Sequence, residues 1–328
     1  MRAVLVREFG PLDAAKVEAV PDPVAGPGEV IVQVKAAPVN FVDTVVIAGK
    51  YQFKPPLPFI PGKGPAGIVA ALGEGVTDLR VGDRVLAMAE TGGYAERVAI
   101  AAGQCYRLPD AMNFNAAATV SLAFDTAWFG LRERGRLQAG ETVLVLGASG
   151  AVGLAGVQLA KALGARVLAA VSSPGKGEAA LAMGADALID LSQPDLRESL
   201  RQQVNDANDG RGADVVLDML GGDIFDAALR ALAWCGRLVV IGFAAGRIPE
   251  VKANYLLVKN IEVSGLQISD YRKRMPGLVR QCFEEVFALF EAGKIKAGEI
   301  DAFPLDRYGE ALQGLVRRSL KGRAVLIP

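Results

Sequence analysis

The N-terminal third of the chain is built from short, β-branched apolar runs: RAVLVREF, EVIVQVKAA, AGIVAAL, DRVLAMA and YAERVAI. Turn-forming clusters such as Gly26-Pro27-Gly28 and Gly73-Glu74-Gly75 separate them, which predicts a compact, mostly antiparallel β unit. From about Asn113 the pattern becomes helical. Between roughly Glu141 and Gly265, nearly continuous apolar strands (TVLVLGA, ARVLAAV, ALID, ADVVLDML, RLVVIGF and IEVSG) alternate with helical stretches. That order predicts an α/β unit with a parallel doubly wound sheet covered by helices on both faces. Two further helical patterns, MPGLVRQCFEEVFALFEAG and DRYGEALQGLVRRSL, precede a last strand, RAVLIP. This end is expected to return to the N-terminal unit and leave the alternating segment as an insertion.

Composition narrows the chemistry. The 328 residues exceed what one core usually organises, and a hydrophobic content of 51% supports sizeable interiors. Thirty-six basic residues balance thirty-six acidic ones, with no dense Lys/Arg run, so neither nucleic acid nor an anionic membrane is an expected partner. MRAVLVREFG does not read as a signal peptide and no apolar run reaches spanning length, so the expectation is a cytoplasmic protein. Cys105, Cys235 and Cys282 are few and far apart, which suits buried thiols in a reducing compartment. Histidine is absent, which removes imidazole as base, acid or metal ligand, including Ser-His-Asp hydrolysis and the His-containing zinc sites.

The strongest local signal follows TVLVLG. Gly147-Ala148-Ser149-Gly150-Ala151-Val152-Gly153 stands between that strand and the helical AGVQLAKALGA, spaced GxxGxxG. Such a turn aims backbone N–H groups and a helix dipole at a pyrophosphate, and glycines at 150 and 153 permit close approach. The second strand, ARVLAAV, ends at Ser172-Ser173 with no Asp or Glu, where an NAD site usually places a carboxylate for the ribose hydroxyls. Lys176 follows, and with the serine hydroxyls it can neutralise a 2′-phosphate. The expected cofactor is NADPH; the plainer alternative for Lys176 is a solvated lysine at a helix start.

The chain resembles the zinc-free quinone oxidoreductase branch of the medium-chain dehydrogenase/reductase superfamily almost end to end. The carrying segments are AAPVNFVDTVVIAGKY, LPFIPGKGPAGIV, VGDRV, GGYAERV, ETVLVLGASGAVGLAGVQLAKALGA, GADVVLDMLGG and GRLVVIGFAAG. The resemblance implies a GroES-like catalytic domain over residues 1–122 and 266–328, an inserted Rossmann domain over 123–265, a cleft between them and a homodimer. Where zinc-dependent relatives carry His-Glu, this chain reads Lys63-Gly64, and no clustered cysteines exist, so no metal is expected. The resemblance also implies that Asn40, Asp43 and Tyr51 approach the nicotinamide, and that Thr126, Gly242 and Phe243 border it. A family tyrosine two residues after the Asp is Val45 here, and another after ALID is Leu191. Asn254, Lys259 and Arg323 fall in motifs typical of the family, without assigned contacts.

Read together, these features predict hydride transfer to a quinone or enone, with the cofactor supplying the chemistry and the protein the orientation. The Asn40 amide is a candidate to stabilise charge on the acceptor oxygen, and Tyr51 to donate a proton or organise water. Asp43 and Asn40 also suit a turn held by side-chain-to-backbone hydrogen bonds; Tyr51 suits a cleft lining, and Phe243 a core aromatic capping its strand. Two alternatives stand beside quinone reduction: reduction of 2-enoyl or other activated alkenes, and a non-catalytic NADPH-binding sensor or structural protein.

Overall fold

The computed structural model describes residues 1–328, Pro174 without its side chain. Strand β1 (Arg2–Leu5) pairs antiparallel with β2 (Lys16–Ala19). The ten-residue β3 (Glu29–Pro38) is followed by helix α1 (Phe41–Ile47), then by β4 (Ala66–Leu72), β5 (Arg84–Ala87), β6 (Arg97–Ala101), β7 (Cys105–Arg107) and α2 (Phe114–Trp128). The alternating segment supplies β8 (Thr142–Leu146), α3 (Ala151–Ala162), β9 (Arg166–Val171), α4 (Glu178–Ala182), β10 (Ala187–Asp190), α5 (Leu196–Ala207) and β11 (Ala213–Asp218). It continues through α6 (Gly222–Ala231), β12 (Leu232–Val240), α7 (Ala253–Lys259) and β13 (Glu262–Gly265). The chain closes with α8 (Ile268–Arg274), α9 (Pro276–Glu291), β14 (Ile300–Pro304), α10 (Tyr308–Arg317) and β15 (Arg323–Ile327).

Two compact units result: Met1–Leu122 with Arg272–Phe287 and Lys296–Pro328, and Ala123–Tyr271 with Ala288–Ile295. In the first, β3 is the spine. It takes β4 and β6 antiparallel, and its end receives β15, with Val325 opposite Pro38 and Leu326 opposite Ala37. The C-terminal strand thus does return to the N-terminal unit. Apolar positions of these strands, among them Val32, Val69, Val85, Ile100 and Leu326, close one core with Leu305 and Leu312.

The second unit is a six-stranded sheet in the order β10-β9-β8-β11-β12-β13, and every pairing is parallel. All five residues of β8 are buried, as a strand covered on both faces requires. The direction of strand succession reverses between β8 and β11, so the carboxyl ends of those strands form the switch-point crevice typical of ligand sites in such sheets.

Several boundaries differ from the sequence expectation. Residues 266–271 pack with the second unit, where the Tyr271 ring lies 4.6 Å from that of Phe129, and residues 288–295 join it too. RAVLVREF stops as a strand at Leu5, Val6 keeping only an isolated bridge to Phe59. The short β7 has no counterpart in the sequence expectation, because its stretch Cys-Tyr-Arg carries no pattern long enough to read. Among the described residues, no helix is long and apolar enough to cross a membrane.

Candidate active site

The glycine-rich turn sits at the carboxyl end of β8. Gly147 adopts φ 74°, a conformation that favours glycine, and its N–H and that of Ala148 donate to the Ala170 carbonyl at the end of neighbouring β9. Gly150 is the N-cap of α3, with extended backbone, and its N–H donates to Gly147 O at 3.0 Å. Ser149 and Gly150 are exposed, and the first-turn N–H groups of Ala151, Val152 and Gly153 have no partner within the helix. A Cβ on Gly153 would stand 2.7 Å from Ala148 Cα and 2.9 Å from Gly147 C, so glycine there is what lets helix and turn close. At Gly150 a Cβ would meet only Gly147 O, at 3.3 Å. One glycine is thus needed for packing, and the other leaves open surface beside unpaired N–H groups, an arrangement that fits a pyrophosphate.

Beside it, at the end of β9, the Lys176 ammonium lies 3.4 Å from Ser172 Oγ, both exposed, and Ser173 is half-buried. Among the described residues no carboxylate is bonded to this serine–lysine pair, which fits a ribose 2′-phosphate better than a 2′-hydroxyl. Gly242 and Phe243 follow β12 at the same edge, with the Gly242 N–H 3.2 Å from Asp218 O. Phe243 is 38% exposed, so it is a surface aromatic and not a core residue capping its strand. Thr126, in α2, is buried and its hydroxyl lies 3.3 Å from the Asp125 carboxylate. Leu191 packs against the sheet core. Lys259 donates to the Arg230 and Leu232 carbonyls and so braces the α6–β12 connection, while Asn254 is exposed on α7. Asp218, not singled out from sequence, is fully buried at the end of β11. Its Oδ1 accepts the Leu220 and Gly221 N–H groups, and burial pushes the carboxyl up despite those bonds.

In the first unit, Asn40 is the N-cap of α1 and Asp43 its third residue. One Asp43 oxygen, Oδ2, accepts both the Asn40 N–H and the Tyr94 hydroxyl, each at 2.9 Å. Burial pushes this carboxyl up to about 6, against those hydrogen bonds and the Lys63 charge. The Asn40 amide is buried as well: Oδ1 accepts Arg323 Nη2 at 3.3 Å, and Nδ2 reaches Pro38 O at 3.5 Å. Burial lowers the Arg323 guanidinium to about 10, against the pull of Asp43 and Tyr94, so it stays charged at neutral pH. Asp43 therefore holds the turn and also cross-links α1 to Tyr94.

Tyr51 is half-buried, with the Lys63 ammonium 5.7 Å from its ring centroid. Lys63 is itself buried and ion-paired to Glu90, whose other oxygen accepts Arg272 Nη1 at 2.7 Å. Burial would push Glu90 up, but Arg272 and Lys63 overcome it and hold the carboxyl at about 2. The structure thus gathers Asn40, Asp43 and Tyr51 with Lys63, Glu90, Tyr94, Arg272 and Arg323. Of the added five, sequence reasoning names Lys63 only as the place where zinc ligands are missing and Arg323 without a contact; Glu90, Tyr94 and Arg272 are not singled out, and nothing local marks Arg272.

Comparison with known proteins matches these halves to two family descriptions. Residues 26–110 match the alcohol dehydrogenase GroES-like domain, and residues 151–285 match zinc-binding dehydrogenase. The quinone oxidoreductase-like protein 2 homolog of Nematostella vectensis is 39% identical over 92% of this chain and 82% of its own length. The quinone oxidoreductase of Pseudomonas syringae pv. Tomato DC3000 superposes with a TM-score of 0.91 at 31% identity, covering 100% of this chain and 99% of that one. The Escherichia coli quinone oxidoreductase, solved in complex with NADPH, gives 0.90 at 29% identity with 100% of both chains covered. The zinc chemistry of the broader family has no ligands here: histidine is absent, Lys63-Gly64 replaces His-Glu, and no group of three or more Cys, Asp or Glu among the described residues is placed to hold a metal ion. With a GroES-like unit, a Rossmann sheet and these relatives in agreement, the chain belongs to the zinc-free, quinone oxidoreductase-like branch of the medium-chain dehydrogenase/reductase superfamily.

Proposed function

We propose that this protein is an NADPH-dependent oxidoreductase that reduces quinones or related conjugated carbonyl compounds without a metal. The observation that carries the reading is the edge of the Rossmann sheet, where the open turn at Gly150 and the Lys176–Ser172 pair stand on adjacent parallel strands. The N–H groups of Ala151 and Val152 would hold the pyrophosphate, and Ser172, Ser173 and Lys176 the 2′-phosphate. NADPH supplies a hydride from its nicotinamide ring. The protein's own part is to bind the cofactor, present Tyr51 as proton donor or water organiser, and offer hydrogen bonds to the acceptor oxygen. Quinone oxidoreductase relatives support the acceptor class. Loss of nicotinamide absorbance, followed against a panel of quinones, enones and 2-enoyl thioesters with NADPH and NADH in parallel, tests it. Turnover that prefers NADPH and a quinone or enone supports the reading; tight NADPH binding without turnover of any acceptor refutes it.

The reading extends to a cytoplasmic homodimer. Strand β13 is the outer edge of the six-stranded sheet, and Trp234, Ile248, Leu257 and Val258 expose large apolar side chains on the same unit. The three cysteines are free, Cys235 at the surface, which suits a reducing compartment. Sedimentation of the protein at micromolar concentration as a monomer would remove the dimer.

A further inference from the structure

Lys63 stands on a loop built to hold it inward. Gly62 and Gly64 flank it with φ of 95° and 66°, backbone that side-chain-bearing residues rarely adopt. A Cβ on Gly62 would come within 2.8 Å of the Tyr94 backbone nitrogen, and one on Gly64 within 2.9 Å of Ser121 Oγ. Backbone hydrogen bonds fasten the loop from both sides: Gly64 N–H to Ala89 O at 3.0 Å, Gly93 N–H to Gly62 O at 3.0 Å and Tyr94 N–H to Pro61 O at 2.9 Å. The side chain is only 6% exposed. Its carboxylate partner, Glu90, is shared between two cations, Lys63 and Arg272. Taking the Lys63 and Arg272 cations out of water beside a carboxylate that is only partly buried is expensive, and a buried ion pair is a poor source of stability compared with apolar packing. A cation fixed in low dielectric is, by contrast, an efficient stabiliser of negative charge that develops beside it. The ammonium lies over the ring of Tyr51, and the chain beyond that ring exposes the apolar side chains of Phe53 and Leu57.

We propose that the Lys63 ammonium is a catalytic group that donates a hydrogen bond to the acceptor oxygen as that oxygen becomes negative. This rests on the quinone or enone reading and narrows the substrates to acceptors that pass through an oxyanion. Hydride adds to the electron-poor carbon, the π electrons shift along the conjugated system, and the pair comes to rest on the carbonyl oxygen. Lys63 holds that oxygen until a solvent proton completes the product, and keeps its own charge throughout.

The test needs no turnover. 4-Nitrophenol, whose phenol and phenolate forms absorb differently, is titrated with pH in the presence of the full chain, with and without NADP+. The bound probe should ionise at lower pH than the free one, the phenolate being favoured at least about tenfold in one of the two conditions. Lys63→Met should abolish that bias, and Lys63→Arg, which keeps the charge, should retain part of it. A probe that fails to bind, titrates as in free solution in both conditions, or keeps its bias in Lys63→Met overturns the proposal; the wild-type arm decides even if Lys63→Met does not fold. Quinone turnover without phenolate bias would remove Lys63 alone, whereas bias without turnover would remove the acceptor assignment and leave the oxyanion site standing.

Discussion

Replacing Gly153 by alanine separates the packing role of the glycine-rich turn from its binding role. The new methyl group would stand 2.7 Å from Ala148 Cα and 2.9 Å from Gly147 C, against roughly 3.5–4.0 Å for relaxed carbon contacts, so turn and helix must part by about 1 Å. Both neighbours are backbone, and Gly147 is tied to the Ala170 carbonyl, so no side chain can swing aside to make room. Alanine gains about 1 kcal/mol of helix propensity at this position in α3. Overpacking of a rigid contact costs about 1–3 kcal/mol or more and should exceed that gain. Displacing the turn also moves the N–H groups of Ala151 and Val152. The expected result is a melting temperature lower by several degrees, and NADPH affinity, read by fluorescence titration, reduced at least about tenfold. Gly150→Ala is the companion variant. Its methyl group meets only Gly147 O at 3.3 Å, so the melting temperature should hold while NADPH binding falls. A Gly153→Ala protein with wild-type melting and wild-type affinity would refute the packing argument. Unchanged NADPH affinity in Gly150→Ala would refute the placement of the pyrophosphate.

If the Lys176 ammonium beside Ser172 holds the 2′-phosphate as proposed, Lys176→Ala should weaken NADPH at least about tenfold and leave NADH nearly unchanged; equal loss of both cofactors in parallel titrations would contradict the assignment. Asp43 titrates near 6 in the folded chain against an ordinary 3.8, so the folded state binds its proton more tightly than the unfolded state. Its contribution is most favourable below about pH 4 and is lost as pH rises to about 6, a swing of about 3 kcal/mol. Asp43→Asn keeps an oxygen for both the Asn40 N–H and the Tyr94 hydroxyl, so denaturation curves should show the variant gaining on the wild type across that window; a constant difference would argue against the shift. Tyr94→Phe removes the hydroxyl from a buried carboxylate and should destabilise by about 1–3 kcal/mol in urea unfolding, and a neutral result would mean that Asp43 is not relying on it.

The fold was readable because its signals are local and repeated. A strand such as TVLVL is buried on both faces and apolar throughout, and a glycine turn before a helix leaves few alternatives to a strand–turn–helix unit. The empty carboxylate position at Ser172-Ser173 could be read in the same way, since the end of the second strand is fixed by the topology. Strand ends were less legible: β12 begins at Leu232, well before RLVVIGF, because pairing with β11 and not hydropathy sets its length.

Sequence by itself determined the absence of histidine chemistry, the order of the elements and the GxxGxxG turn, which follow from residue identity or short-range spacing, while the resemblance to the family named the candidates Asn40, Asp43 and Tyr51. Tertiary structure alone decided what those candidates touch. Asp43 became a buried cross-link because Tyr94, 51 positions along the chain, donates to it. Lys63, which in sequence only marks where zinc ligands are missing, became a buried cation because Arg272, 182 positions from Glu90, shares its carboxylate partner. Contacts of such separation depend on how strands pair and where the chain returns, and no pattern within a few turns of either residue encodes them.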